Sequence, residues 1–96
     1  MLQTFKAIIA SMDELCSNFH VDYCYPFFRS RFLINSEEQE TIQSLNTRQS
    51  RTRCLLEILL TKDIEFAFNS LKEYIDEKSQ KFLIDGLDKK YEENKF

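Results

Sequence analysis

Apolar side chains recur at three- and four-residue steps along most of the chain, which is the spacing of amphipathic helices. Residues 2–19 keep this spacing without interruption, and Lys6, Asp13 and Glu14 fall between the apolar positions. The apolar positions are Leu2, Phe5, Ile8, Ile9, Met12, Leu15, Cys16 and Phe19. This pattern predicts one long first helix with an apolar side and a polar side.

Two shorter helices are predicted next, each from the residues that can cap it. The side chain of Asp22 can accept a hydrogen bond from the first turn of a second helix, which carries five aromatic residues. Pro26 falls in the first turn of that helix, where it removes at most one backbone hydrogen bond. Ser36 and Gln39 have the spacing of a capping box and predict a third helix over residues 37–45.

Three further helices are predicted in the second half of the chain. Asn46 or Thr47 can cap the fourth helix, and Asp63 can cap the fifth. Ser79 opens the sixth helix. From Asp88 onward the residues are mostly charged and the helical period is lost, so we expect this end to fray.

The fourth predicted helix, residues 48–60, changes character along its length. Its second half is apolar around most of its circumference, so other helices have to surround it. Its first half carries Arg48, Arg51 and Arg53 and little apolar surface, so we expect a basic end that projects beyond the core. The predicted core includes Phe5, Ile9, Met12, Leu55, Ile58, Leu59, Phe68, Leu71 and Ile75.

The composition agrees with a small helical domain. One glycine and one proline in 96 residues are too few for the turns of a β-rich fold. Hydrophobic residues make up 43% of the chain, which is enough to bury a single core. We therefore predict an all-α, six-helix antiparallel bundle over residues 1–90, followed by a frayed charged tail over residues 91–96.

Charge and cysteine content limit the partners and the compartment. A net charge of −3 and a pI near 5.1 argue against a helix-turn-helix nucleic-acid binder, the alternative from another class. No apolar run approaches membrane-spanning length, and the first helix lacks the layout of a signal peptide. Three cysteines are an odd number and favour a reducing compartment. We expect a cytoplasmic protein that binds neither nucleic acid nor membrane.

Cys16, His20 and Cys24 stand four residues apart and would share one face of an unbroken helix, which suggests a zinc site. A helix break is expected near Asp22, and no fourth ligand is evident, so we predict no metal and no cofactor. A cysteine–histidine catalytic pair would also need an oriented base and an oxyanion hole built from loops. With Gly86 as the only glycine, we predict no enzymatic activity.

The order of these elements resembles the caspase recruitment domain (CARD), a six-helix member of the death-domain superfamily. The resemblance rests on residues 32–38, on the arginine-rich residues 51–59 that end in Leu-Leu-Glu-Ile-Leu, and on the aromatic residues 66–71. Residues 50–57 and 77–84 are similar to the fourth and sixth helices of a signalling adaptor in this family. The resemblance implies a death-domain fold that works by binding other proteins.

Two segregated sets of charges are the candidate interaction surfaces. Acidic residues on one side of a bundle and basic residues on another allow head-to-tail stacking, which generates a filament unless its rotation closes. The family resemblance implies the same pairing, between acids of the third helix and basic residues of the first and fourth helices. Two arginines of the second helix are candidates for another contact. The full set is Lys6, Arg29, Arg31, Glu37, Glu38, Glu40, Arg48, Arg51 and Arg53.

The resemblance also implies the kind of partner. We expect the chain to bind other CARD-containing proteins (a scaffold, an adaptor or a protease) and to form a homo-oligomer or filament. The leading hypothesis is a signalling adaptor in NF-kappa-B, immune or apoptotic signalling. The alternatives within the family are the recruitment domain of an initiator caspase or its activator, and a CARD-only decoy inhibitor.

Overall fold

Every regular element in the computed structural model, which describes residues 2–94, is helical. The elements are α1 (Leu2–Ala10), α2 (Met12–Asn18), a 3₁₀ turn (Val21–Tyr23), α3 (Tyr25–Ser30), α4 (Ser36–Gln43), α5 (Arg48–Leu59), α6 (Ile64–Glu77) and α7 (Lys81–Glu93). The predicted all-α class is confirmed. Within the described range, no helix is long and apolar enough to cross a membrane.

The predicted first helix is two helices, because the chain breaks at Ser11. The Ser11 amide donates to both Ala7 O at 3.1 Å and Ile8 O at 3.2 Å, and its ψ of 2° leaves the helical range. Six predicted helices therefore become seven among the described residues. No glycine or proline marks this break, so the sequence pattern gave no sign of it.

The break also changes which face of α1 is buried. Thr4, Ala7 and Ile8 are buried, and α1 packs on α6 and α7 through this face. The predicted core positions Phe5 and Ile9 are wrong, since 40% of Phe5 and 47% of Ile9 remain exposed. Apolar residues occupy both sides of α1, and its smaller side chains face the neighbouring helices, so periodicity alone did not select the buried side.

The capping residues of α3 and α4 differ from the predicted ones. Asp22 lies inside the 3₁₀ turn and caps no helix, whereas Pro26 lies in the first turn of α3 as expected. The capping box of α4 starts one residue earlier than predicted. Asn35 Oδ1 accepts from Glu38 N at 2.8 Å, and Glu38 Oε1 accepts from Asn35 N at 2.9 Å. Asn35 is a cap at least as favourable as serine, and it displaces Ser36 into the helix.

The later helix starts are closer to prediction. Thr47 caps α5 and Asp63 caps α6 through their side chains, as predicted. Ser79 does not open the last helix: it has a φ of 58° and belongs to the end of α6.

The last helix extends beyond the point where we expected fraying. It includes residues 91–93, and the Tyr91 ring stacks on Phe68 with 5.8 Å between centroids. Lys95 and Phe96, from the predicted tail, lie outside the described residues. A stacked aromatic residue among charged neighbours therefore holds this end of α7 in place.

The core is one continuous cluster between two packed groups of helices. One group is α1, α6 and α7, and the other is α2, α4 and α5 with the 3₁₀ turn. The predicted core residues Met12, Leu55, Leu59, Phe68, Leu71 and Ile75 are buried, and Ile58 is partly buried against them. Near the cluster's centre the Tyr74 hydroxyl donates to His20 O at 2.6 Å, so the buried phenol is satisfied.

Candidate interaction surfaces

The acidic candidates lie on α4, but only two of the three are available to a partner. Glu38 is tied within the fold, because its carboxylate accepts from Lys62 Nζ at 3.0 and 3.1 Å and closes the capping box with Asn35. Glu37 and Glu40 are exposed, and their carboxylates have no ion-pair partner among the described residues. They are three residues apart and share one face of α4. We call Glu37 and Glu40 the acidic surface.

The basic candidates of α5 are held against the α2–α3 connection. Arg51 pairs with Asp22, with 2.9 Å between Nε and Oδ1, and its Nη1 donates to Leu45 O at 2.9 Å. The basic end of α5 therefore does not project freely, contrary to the expectation from the sequence. Arg51 is the arginine of this set that the fold itself uses most.

Arg48 and Arg53 remain more accessible and both reach α2. Arg48 is exposed and donates from Nη2 to Ser17 O. Arg53 lies 3.8 Å from Asp13 Oδ1, at the outer limit of an ion pair, and more than half of its side chain is exposed. Asp13 and Ser17 are one turn apart on α2, so the two arginines lie along the same α2–α5 junction.

Lys6 is also exposed and has no ion-pair partner among residues 2–94, but no contact joins it to the arginines. We call Lys6, Arg48 and Arg53 the basic surface. It lies on α1 and α5, whereas the acidic surface lies on α4. The two sets are therefore on separate helices. Glu37, Glu40 and Lys6 have no described ion-pair partner, whereas Arg53 forms a long ion pair with Asp13.

The two arginines of the α3 region have different roles. Arg31 is bound to α6, with 2.6 Å between Nη2 and Glu73 Oε2, and its guanidinium lies 4.3 Å from the Phe27 ring centroid. Arg29 is exposed and donates to Gln39 Oε1 at 2.9 Å, which links α3 to α4. Arg29 is thus the more accessible candidate for a second contact.

The suspected zinc ligands are not on a common helical face, because α2 ends at Asn18. Cys16 and Cys24 are buried and His20 is exposed. Within the described range no three histidine, cysteine or acidic side chains form a group suited to a metal ion. Burial raises the pKa of the Cys24 thiol to about 12, so it is protonated at neutral pH. The three side chains therefore lack the shared-face arrangement that suggested a zinc site.

An apolar groove along α1 was not predicted from the sequence. Leu2, Phe5 and Ile9 form an exposed stripe on α1, and Leu60 and Ile64 lie on the opposite wall. We call these five residues the α1 groove. The only signal in the sequence was the excess of apolar residues in the first helix, which we assigned to the core. A second missed feature is Phe32, whose relative exposure is 91%.

The comparisons with known proteins identify one family. The family model described as caspase recruitment domain matches residues 6–90, which is most of the chain. Comparisons with curated proteins and with solved structures gave no match. The match includes α2 to α6 in full, most of α1 and α7, and both charged surfaces.

Proposed function

Because the chain belongs to the caspase recruitment domain family, whose members are protein-interaction modules, we propose that it is a signalling adaptor module that assembles into filaments. It binds other CARDs through homotypic contacts. Assembly brings bound partners close together, and no chemical turnover is involved. The observation that carries this proposal is the pair of accessible charged surfaces on separate helices described above.

Head-to-tail contact between the acidic surface of one copy and the basic surface of the next uses both surfaces at once. Such a contact is heterologous, so every added copy leaves one surface of each kind open. An isolated exposed ion pair contributes only about 0–1 kcal/mol, so several pairs have to act together in a partly desolvated interface. Glu37 and Glu40 facing Arg48, Arg53 and Lys6 supply such a set.

We propose that the pathway is that of an adaptor similar to the B-cell lymphoma/leukaemia 10 protein. The support is the similarity of residues 50–57 and 77–84 to helices of that adaptor. In this proposal the chain acts in the cytoplasm, upstream of NF-kappa-B, in immune or apoptotic signalling. Its partners are CARD-containing scaffold, adaptor or protease proteins.

Charge reversal on the acidic surface tests the assembly. We expect the parent chain to sediment as filaments, visible by negative-stain electron microscopy. The Glu40→Arg variant should form no filaments and should keep its helical spectrum, because attraction becomes repulsion at this contact.

The matched control is Glu92→Arg, which makes the same charge change at an exposed position of α7. It should assemble like the parent. Filaments of Glu40→Arg that match those of the parent in amount and length would show that α4 does not form the contact.

A further inference from the structure

Phe32 lies at a backbone position that usually belongs to glycine. The end of α3 is a Schellman motif, in which Leu33 N donates to Phe28 O at 3.0 Å and Phe32 N donates to Arg29 O at 3.1 Å. Phe32 adopts a φ of 59°, the left-handed region that a bulky side chain disfavours. The motif therefore carries strain that a glycine would remove.

The side chain of Phe32 does not offset this strain inside its own fold. It is the most exposed large apolar residue in the described range, at 91%. Ser79 is at the same position of the Schellman motif that ends α6, with a φ of 58°, and its side chain is polar. A left-handed turn in this bundle thus does not require an exposed aromatic ring. Backbone strain together with an exposed ring points to a role outside the isolated chain.

The α1 groove is a receptor of suitable chemistry on the same chain. It consists of two depressions, of about 540 and 400 Å³, that share Phe5 and Leu60. Lys62 borders this groove and also borders the depression next to Phe32. The protruding ring and the apolar groove are therefore neighbours on one face of the molecule.

The charges next to the two features are complementary. Arg29 borders the depression at Phe32 and has no ion-pair partner among the described residues. At the far end of the groove, Arg53 and Asp13 offset each other, and Glu57 is an exposed carboxylate without a described partner. Lys62, at the near end, is already paired with Glu38. Among the residues that line the depressions, the net charge is therefore positive beside the ring and negative beside the groove.

We propose that Phe32 of one copy docks into the α1 groove of a second copy, and that the pairing is reciprocal. A stable interface buries about 800 Å² on each partner, roughly a seventh of the 5595 Å² surface of this chain. One ring cannot supply that area, whereas two rings and two grooves on facing surfaces extend the contact. This interface differs in its main contacts from the α4–α5 charge contact, although Arg53 borders both, and it joins two copies through a two-fold axis.

Two glycine variants test the proposal without damage to the fold. Phe32→Gly and Ser79→Gly each relieve a left-handed residue, so each should raise the melting temperature. Both are made in the Glu40→Arg background, so that the charge contact does not contribute. By analytical ultracentrifugation, the background chain and Ser79→Gly should form the same dimer. Phe32→Gly should weaken that dimer about tenfold or more, because it removes the docked ring.

An equal dimer affinity for Phe32→Gly and Ser79→Gly would overturn the proposal. So would a background chain that stays monomeric at every concentration tested. If Glu40→Arg still forms filaments, the result contradicts the charge contact and not the Phe32 contact. The effects of Phe32→Gly and Ser79→Gly on assembly would then be compared in those filaments.

A cross-link identifies the occupant of the groove. A photoreactive benzoyl-phenylalanine at position 32, in a mixture of ¹⁴N- and ¹⁵N-labelled chains, should give mixed-isotope peptides that join position 32 to α1 or Leu60. Cross-links confined to one isotope, or mixed-isotope links to other elements, would show that Phe32 does not enter the groove of a second copy.

Discussion

Arg51 and Asp22 form a two-point ion pair that fastens the 3₁₀ turn to α5. The distances are 2.9 Å between Nε and Oδ1 and 3.3 Å between Nη2 and Oδ2. A third bond, from Arg51 Nη1 to Leu45 O, ties the same guanidinium to the α4–α5 connection. One arginine thus joins three segments of the chain, and this is the bidentate geometry in which arginine is stronger than lysine.

A double-mutant cycle measures this pair. Arg51→Ala, Asp22→Ala and the double variant should give a coupling free energy of about 0.5–1 kcal/mol in urea unfolding, since Asp22 is about half exposed to solvent. Arg51→Glu should lower the melting temperature as well, because it turns a carboxylate towards Asp22. A coupling of zero would mean that the pair contributes nothing to stability and that Arg51 is free to serve a partner.

Adjacent isoleucines test the observed orientation of α1. Ile8 is fully buried, so Ile8→Ala should reduce the free energy of unfolding by about 2–5 kcal/mol. Ile9 is about half exposed, so Ile9→Ala should cost about 1 kcal/mol or less. The two variants delete the same atoms one position apart, and urea unfolding compares them directly. Equal losses of unfolding free energy, or a larger loss for Ile9→Ala, would instead support the orientation predicted from the sequence, in which Ile9 is a core residue.

Features with a local cause were predictable from the sequence. The caps at Thr47 and Asp63 followed from short polar side chains directly before segments of good helix formers. The burial of Leu55 and Leu59 followed from a helix too apolar to face water. Capping and the burial of an apolar helix each depend on a few residues that are neighbours in the sequence, so the sequence alone was enough to predict them.

Features set by tertiary packing were not predictable in this way. Ser11 breaks the first helix without any helix-breaking residue. The choice between Ile8 and Ile9 depends on how closely α6 and α7 approach α1. At the candidate site, the sequence located the charged residues but could not show that Arg51 and Glu38 are already paired with Asp22 and Lys62, which lie far away in the chain.

Alkaline pH should destabilise the fold through buried acidic protons. Burial raises the pKa of Cys24 and of Tyr25 to about 12 each, and it also raises the pKa of Tyr74. The unfolded chain loses these protons first, near the ordinary pKa values of 9.0 for cysteine and 10.0 for tyrosine. Stability is therefore fully present below about pH 9 and falls as the pH rises towards about 12.

Urea midpoints from neutral pH to about pH 10.5 measure this fall in the free energy of unfolding. Each fully titrating group contributes up to about 1.4 kcal/mol per pH unit. Cys24→Ala should show a shallower decline than the parent, because one of the groups is removed. A parent curve that is flat across this range, or a decline equal in the two proteins, would contradict the burial of these groups.

The central claim is that the acidic surface of one copy binds the basic surface of another. Its most direct test mixes two double variants that each retain one surface. One carries Glu37→Ala and Glu40→Ala, and the other carries Arg48→Ala and Arg53→Ala. Alanine removes the charge without creating an opposite one, so the two altered surfaces cannot pair with each other. Light scattering after size exclusion should show that neither variant forms filaments alone. The equimolar mixture should form heteromeric complexes that are built on one intact contact and are larger than the species formed by either variant alone. A mixture that behaves as the sum of its two components, or filaments from either variant alone, would contradict the claim.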